Sequence, residues 1–184
     1  MTATARIQPG SRADVGLITW VFARISGRVT RTSPPNIFLV LGRHRRLFRG
    51  WLHFAGRLMP GGTLPRRESE LVILRTAHLR GCEYELEHHR RLGARAGIGP
   101  DEIERIALGP DAPGWSDRER LLLRVVDELQ ATKDLSDATW ADVRAELDEQ
   151  GAIELVLLAA HYDMLATALT VLRVPPDEPR SRRG

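Results

Sequence analysis

The sequence contains a single cysteine, Cys82, in 184 residues, so no disulfide can form within the chain. That thiol is structural, reactive on its own or paired with another molecule, and a reducing compartment, the cytoplasm, is the expected location. Lysine is almost missing too: every Lys or Arg position except Lys133 is arginine. The 27 basic residues against 24 acidic ones leave a net charge of +3, and the sequence pI near 9.7 reflects the high pKa of arginine more than excess charge. Aromatic residues make up 5% of the chain, too few for a stacking surface. The basic clusters at 43–49 and 180–183 therefore read as a solvated helix face and a frayed tail, and no nucleic-acid partner is expected. The first sixteen residues, MTATARIQPGSRADVG, have no continuous apolar core for a signal peptide. The longest apolar region, 152–174, is interrupted by Glu154, His161 and Asp163, which argues for a core helix over a membrane span. Period-two alternation is missing throughout, so no strand is expected.

What is present is helical periodicity punctuated by Pro and Gly. Val15, Ile18, Phe22, Ile25 and Val29 recur every three or four residues and predict a buried stripe on a first helix. Pro34 and Pro35 end it, Asn36 can cap the next, and a helical pattern then runs from 36 to 59 with a kink at Gly42. After the Pro60, Gly61, Gly62 loop, Thr63 can cap and Pro65 can open a helix. Pro100 opens a short acidic-headed helix, Ser116 with Glu119 forms a capping box, another helix spans about 136–148, and Gly151 separates it from a long apolar helix over 152–173. The length suits one all-α domain at 14–174, with a flexible arm at 1–13 and a basic disordered tail at 175–184.

Chemistry is most legible between Glu70 and His89, in ELVILRTAHLRGCEYELEHH. On a helix, Cys82, Glu85 and His89 fall at about 0°, 300° and 340°, on one face. Glu70 would be about 18 Å from Cys82 if a straight helix joined them. Gly81 offers a stop, after which a second helix can fold back and return Glu70 to this face.

Three chemistries suit such a face. A thiolate at Cys82 would gain from the helix N-terminus, but Glu83, Glu85 and Glu87 surround it with charge that disfavours ionisation. Acid–base catalysis would use His89 as the proton carrier, with Glu70 or Glu85 as partner. A metal site could use Glu85 and His89, four residues apart, with Glu70 and His88 or His78 outside them. Each has an ordinary structural counterpart: Glu85 and His89 as an i, i+4 helix pair, Cys82 as a small buried hydrophobe, and His88 as a solvated neighbour.

The spacing Glu70, Cys82, Glu85, His89 resembles the signature of the carboxymuconolactone decarboxylase and alkyl hydroperoxidase D superfamily, where a Glu precedes C-x-x-C-x-x-x-H. Glu85 stands where redox members carry their second cysteine, so the resemblance is to the decarboxylase-like branch, whose members read YEW-x-x-H. Here Tyr84, Glu85 and Leu86 replace that run. The similarity extends from about 36 to 174, including Asp127 to Leu129 and the His161, Tyr162 region. It implies an all-helical domain assembling into trimers or hexamers. The implied activity is a cofactor-independent lyase or isomerase that moves protons on a small carboxylated ring or lactone. His89 would carry the proton, Glu70 and Glu85 would tune it, and Tyr84 would be a possible second donor; the carboxylate clamp is not named by the sequence, with Arg75 and Arg80 near enough along the chain to test. The alternatives are a thiol-dependent peroxide reductase using Cys82, or a non-catalytic oligomer binding a small molecule or metal.

Overall fold

The computed structural model describes residues 4–180 and is all-helical, with no strand among them. Its helices are α1 (Arg12–Val15), α2 (Leu17–Thr30), α3 (Asn36–Leu41), α4 (Arg45–Leu58), α5 (Arg66–Leu79), α6 (Glu83–Arg95), α7 (Pro100–Leu108), α8 (Asp117–Thr132), α9 (Asp137–Glu146) and α10 (Glu149–Leu172). The described residues group by their contacts into two compact units, 4–54 with 168–180, and 55–167.

In the first unit Phe38 gathers Phe22 at 4.9 Å and Phe48 at 6.1 Å, both edge-on, and Trp51 packs 5.6 Å from Phe48. Residues from both ends of the chain close this unit. The Arg6 N–H donates to the Leu172 carbonyl and Gly10 N–H to Leu39, while Asn36 donates its backbone N–H to Asp177 and its amide to the carbonyls of Pro175 and Pro176. Residues 1–3 of the expected arm and 181–184 of the expected basic tail lie outside the described residues.

Of the apolar stripe expected to be buried on the first helix, Val15 is buried and Phe22 packs half-buried on Phe38, but Ile18, Ile25 and Val29 face outward. Ile18 is 82% exposed, and Ile25 and Val29 are also exposed, whereas Thr19, Ala23 and Gly27 are buried. The buried face is selected by size. A Cβ at Gly27 would stand 2.6 Å from the Ser33 carbonyl oxygen, and one at Gly42 2.7 Å from the Thr19 methyl, so backbone approaches too closely for the larger apolar residues to face inward. Gly42 is also the end of α3, separating it from α4 rather than kinking one long helix.

The second unit is built around α5, whose residues 69–77 are all buried. Its Leu71, Leu74 and Ala77 pack with Leu86, Ile98, Ile106, Ala112, Trp115 and Leu123. Arginines fasten neighbouring helices to this core. Arg75 forms a two-pronged ion pair with Asp127 on α8 at 2.7 and 2.9 Å and donates to the last carbonyls of α7, Ile106 and Ala107. Arg118 grips Glu68 in the same way at 2.8 and 3.0 Å. The expected capping box is present: Ser116 Oγ accepts from Glu119 N–H, and the Glu119 carboxylate accepts from Ser116 N–H.

Thr63 does not cap α5. Its N–H and hydroxyl donate to Glu154, which also accepts the Leu64 N–H at 3.0 Å. Gly151 likewise lies inside α10 and does not separate it from α9. The break comes earlier, where Leu147 is extended and the Asp148 carboxylate accepts the Gly151 N–H as a helix cap. Of the described helices α10 is long and apolar enough by composition to cross a membrane. In this structure it buries Leu155, Leu158, Ala159, Tyr162 and Leu165. A second row, Ile153, Leu157, Ala160 and Met164, is exposed.

Candidate active site

The turn after α5 creates the site. Gly81 takes φ +58°, its N–H donates to the His78 carbonyl, and the Cys82 N–H donates to Ala77. This is a Schellman stop with glycine in the left-handed position, and it reverses the chain as the sequence predicted. Cys82 becomes the residue before α6, and α6 packs back along α5.

The reversal brings Glu70 and His89 into direct contact. Glu70 is fully buried and its Oε2 lies 2.7 Å from His89 Nδ1. The buried carboxylate accepts a hydrogen bond from Nδ1–H, which leaves Nε2 as the basic nitrogen of a neutral ring. On the other side, Arg66 Nη2 stands 2.8 Å from Glu70 Oε1, an ion pair whose N–H is not aligned for a hydrogen bond. The Arg66 stem is half-exposed, and its Nη1 reaches Met59 Sδ at 3.0 Å.

Glu85 is also buried, at 2% exposure, and neither carboxyl oxygen has a hydrogen-bond partner among the described residues. Desolvation alone pushes it up to about 8, so Glu85 holds its proton at neutral pH. His89 moves the opposite way. Burial lowers its pKa, an effect that the Glu70 charge opposes and that His88 and Arg66 reinforce. A carboxyl that keeps its proton and an imidazole that stays neutral are thus four residues apart on one helix face, a matched acid and base.

Tyr162 of α10 completes the wall. Its ring meets His89 edge-on at 5.1 Å, and burial together with the charges of Glu85 and Glu70 raises its hydroxyl pKa. His161 is buried beside it, lowered to about 4 by desolvation. Cys82 is buried as well, at the start of α6.

Other expectations move. Arg75 and Arg80, the arginines near enough along the chain to test as a clamp, turn to partners of their own: Arg75 to Asp127 and the end of α7, and Arg80 to Asp163 and Thr167. Tyr84 is half-buried and stacks on His88 at 6.4 Å, and His78 is exposed at the end of α5. Among the described residues no group of three or more His, Cys, Asp or Glu is set to hold a metal ion. Arg66 was not singled out in the sequence, although its i, i+4 spacing to Glu70 was visible there.

The helices adopt the all-α fold of the alkyl hydroperoxidase D type, with Glu70, Glu85 and His89 buried in it. Residues 45–128 match the model of the carboxymuconolactone decarboxylase family. Solved structures share the fold. An alkylhydroperoxidase AhpD core protein from Ralstonia eutropha, described as peroxidase-related, superposes with a TM-score of 0.83 at 16% identity, covering 98% of this chain and 99% of its own. A peroxidase-related protein from a Silicibacter species gives 0.81 at 13% identity over 96% and 95% of the two chains. The debrominase Bmp8, in a cysteine-to-alanine variant bound to 2,3,4-tribromopyrrole, gives 0.77 at 14% identity over 95% and 93%. No curated protein sequence matches the chain.

Proposed function

We propose that this site is a cofactor-independent proton-transfer centre, a decarboxylase-like lyase or isomerase acting on a small carboxylated ring or lactone. The observation that carries the reading is Glu85, a buried carboxyl without a partner, one helical turn from a His89 already oriented by Glu70. In a decarboxylation the carbon–carboxylate bond breaks, its electron pair passes into the substrate's own unsaturated lactone, and an acid then protonates the ring carbon. Glu85 is the acid that has its proton at neutral pH. His89 Nε2 is the base, and Glu70 orients it through Nδ1. Isomerisation would use the same pair, with His89 removing one proton and Glu85 returning another.

Turnover of a panel of carboxylated lactones tests this, followed as carbon dioxide release. E85Q and H89A are each expected to lose a hundredfold or more, the usual scale for removing a positioned acid or base, of about 10²–10⁴. C82S is expected to keep its turnover. Loss in C82S with H89A intact would overturn the reading.

The position of Cys82 supports a second reading, thiol-dependent peroxide reduction. It lies at the N-terminus of α6, where a helix dipole favours a thiolate, and similar folds include peroxidase-related proteins. That cycle would oxidise Cys82 to a sulfenic acid and release water, and an external thiol would reduce it again. A sulfenic-acid trap after peroxide treatment reads it directly.

A further inference from the structure

We infer that Arg66 is a positioning residue of this centre: its guanidinium balances the charge of Glu70, so that Glu70 can orient the His89 ring without drawing a proton onto it. This rests on the proton-transfer reading of the same site. The geometry is a relay of three groups across one carboxylate. Glu70 is wholly buried and turns one oxygen to each neighbour, Oε1 towards Arg66 at 2.8 Å and Oε2 towards His89 Nδ1 at 2.7 Å. Helical spacing makes the arrangement, because Arg66 and Glu70 are four apart on α5 and share a face.

A buried carboxylate beside an imidazole ordinarily favours the imidazolium, since an opposite charge at hydrogen-bond distance stabilises the protonated ring. An imidazolium has no lone pair and cannot act as a base. Among the groups around His89, Arg66 is the permanent cation that touches Glu70. From α5 the ring meets Glu70 and, behind it, Arg66; from α6, His88, with Glu85 one turn away along the same helix; from α10, Tyr162. Glu85 and Tyr162 are uncharged at neutral pH, since burial pushes both pKa values up. Arg66 is therefore the cation that offsets Glu70, and its charge acts on the ring in the same direction as burial. Because Arg66 is half-exposed and reaches the site through its charge, it can be replaced without opening a cavity in the core.

The test follows the six histidine rings of the full chain by long-range ¹H–¹⁵N NMR across a pH series, with H89Q identifying the His89 signals. Two neutral variants, R66M and R66Q, are compared with wild type and with R66K. In wild type the ring is expected to be the neutral Nδ1–H form, titrating below the ordinary histidine range. In R66M and R66Q the titration is expected to move measurably upward, because a nearby like charge that disfavours the imidazolium is lost. R66K, which keeps the cation, is expected to fall between. A titration in R66M or R66Q that overlays wild type overturns the proposal, as does an R66K ring displaced as far as the neutral variants. Loss of the helical circular-dichroism signal in both neutral variants assigns Arg66 to folding and overturns it equally. No substrate enters the measurement, so a failure of the lyase reading leaves this result standing, and the reverse also holds.

Discussion

Replacing Glu85 by glutamine is expected to stabilise the protein, and to do so only above acidic pH. In the unfolded chain this carboxyl loses its proton near 4.5, while in the folded protein burial holds the proton until about pH 8. Between these values the folded state binds more protons than the unfolded one, so stability falls as pH rises. The contribution is fully present below pH 4.5 and is lost through pH 8. Each pH unit in that window is worth about 1.4 kcal/mol, so the interval from 4.5 to neutral pH makes the wild type about 3 kcal/mol less stable than it would be with a permanently neutral side chain. Glutamine has nearly the same shape and no proton to lose, although its amide also enters a site without partners, which costs both states of the comparison a constant amount. His89 slopes the other way, since its lowered pKa makes folding less favourable as pH falls below the ordinary histidine value. The difference between wild type and E85Q removes that slope. Urea unfolding followed by circular dichroism at pH 4, 5, 6, 7 and 8 provides the curve. The difference should be flat below pH 4.5 and widen by about 3 kcal/mol in favour of E85Q by pH 7. A difference that stays constant across the series would refute a protonated, buried Glu85.

Other perturbations follow from the same contacts. R75M removes the bidentate pair with Asp127 and the donors to the end of α7, and urea unfolding should show a loss of about 3 kcal/mol in unfolding free energy, the scale for breaking a largely buried pair. G81A forces alanine into φ +58° with no steric clash, so conformational strain alone should lower stability by about 1 kcal/mol while the helix content persists. S116A deletes one side of the α8 capping box, and thermal unfolding should register a loss of about 1 kcal/mol.

The reversal at Gly81 was legible in the sequence because a glycine stop is a local signal: the left-handed position and the two hydrogen bonds after α5 depend on adjacent residues. With that turn set, helical spacing was enough to place Glu70 against the face of His89 and Glu85. Boundaries written by caps, such as Ser116 and Pro100, were legible for the same reason. The inward face of α2 was not, since apolar periodicity favours Ile18 and Ile25 while the packing selects Thr19, Ala23 and Gly27 for close backbone approach. Arg75 and Arg80 were near the site along the chain yet turn to Asp127 and Asp163, partners about 50 and 80 residues away that no local pattern reveals. Tyr162 likewise meets His89 through packing of α10. The state of Glu85 depends on burial, which the sequence around it, rich in Glu and His, gave no reason to expect.

The account turns on whether the chemistry needs a protonated Glu85 or an ionised Cys82, and the two demand opposite behaviour in alkaline solution. The dependence of kcat/KM on pH for carboxylated lactone turnover decides between them. If Glu85 is the acid and His89 the base, the rate should fall as pH rises through about 8, where Glu85 loses its proton, and fall again in acid where His89 gains one. A rate that climbs through pH 8 and is abolished in C82S would contradict the account.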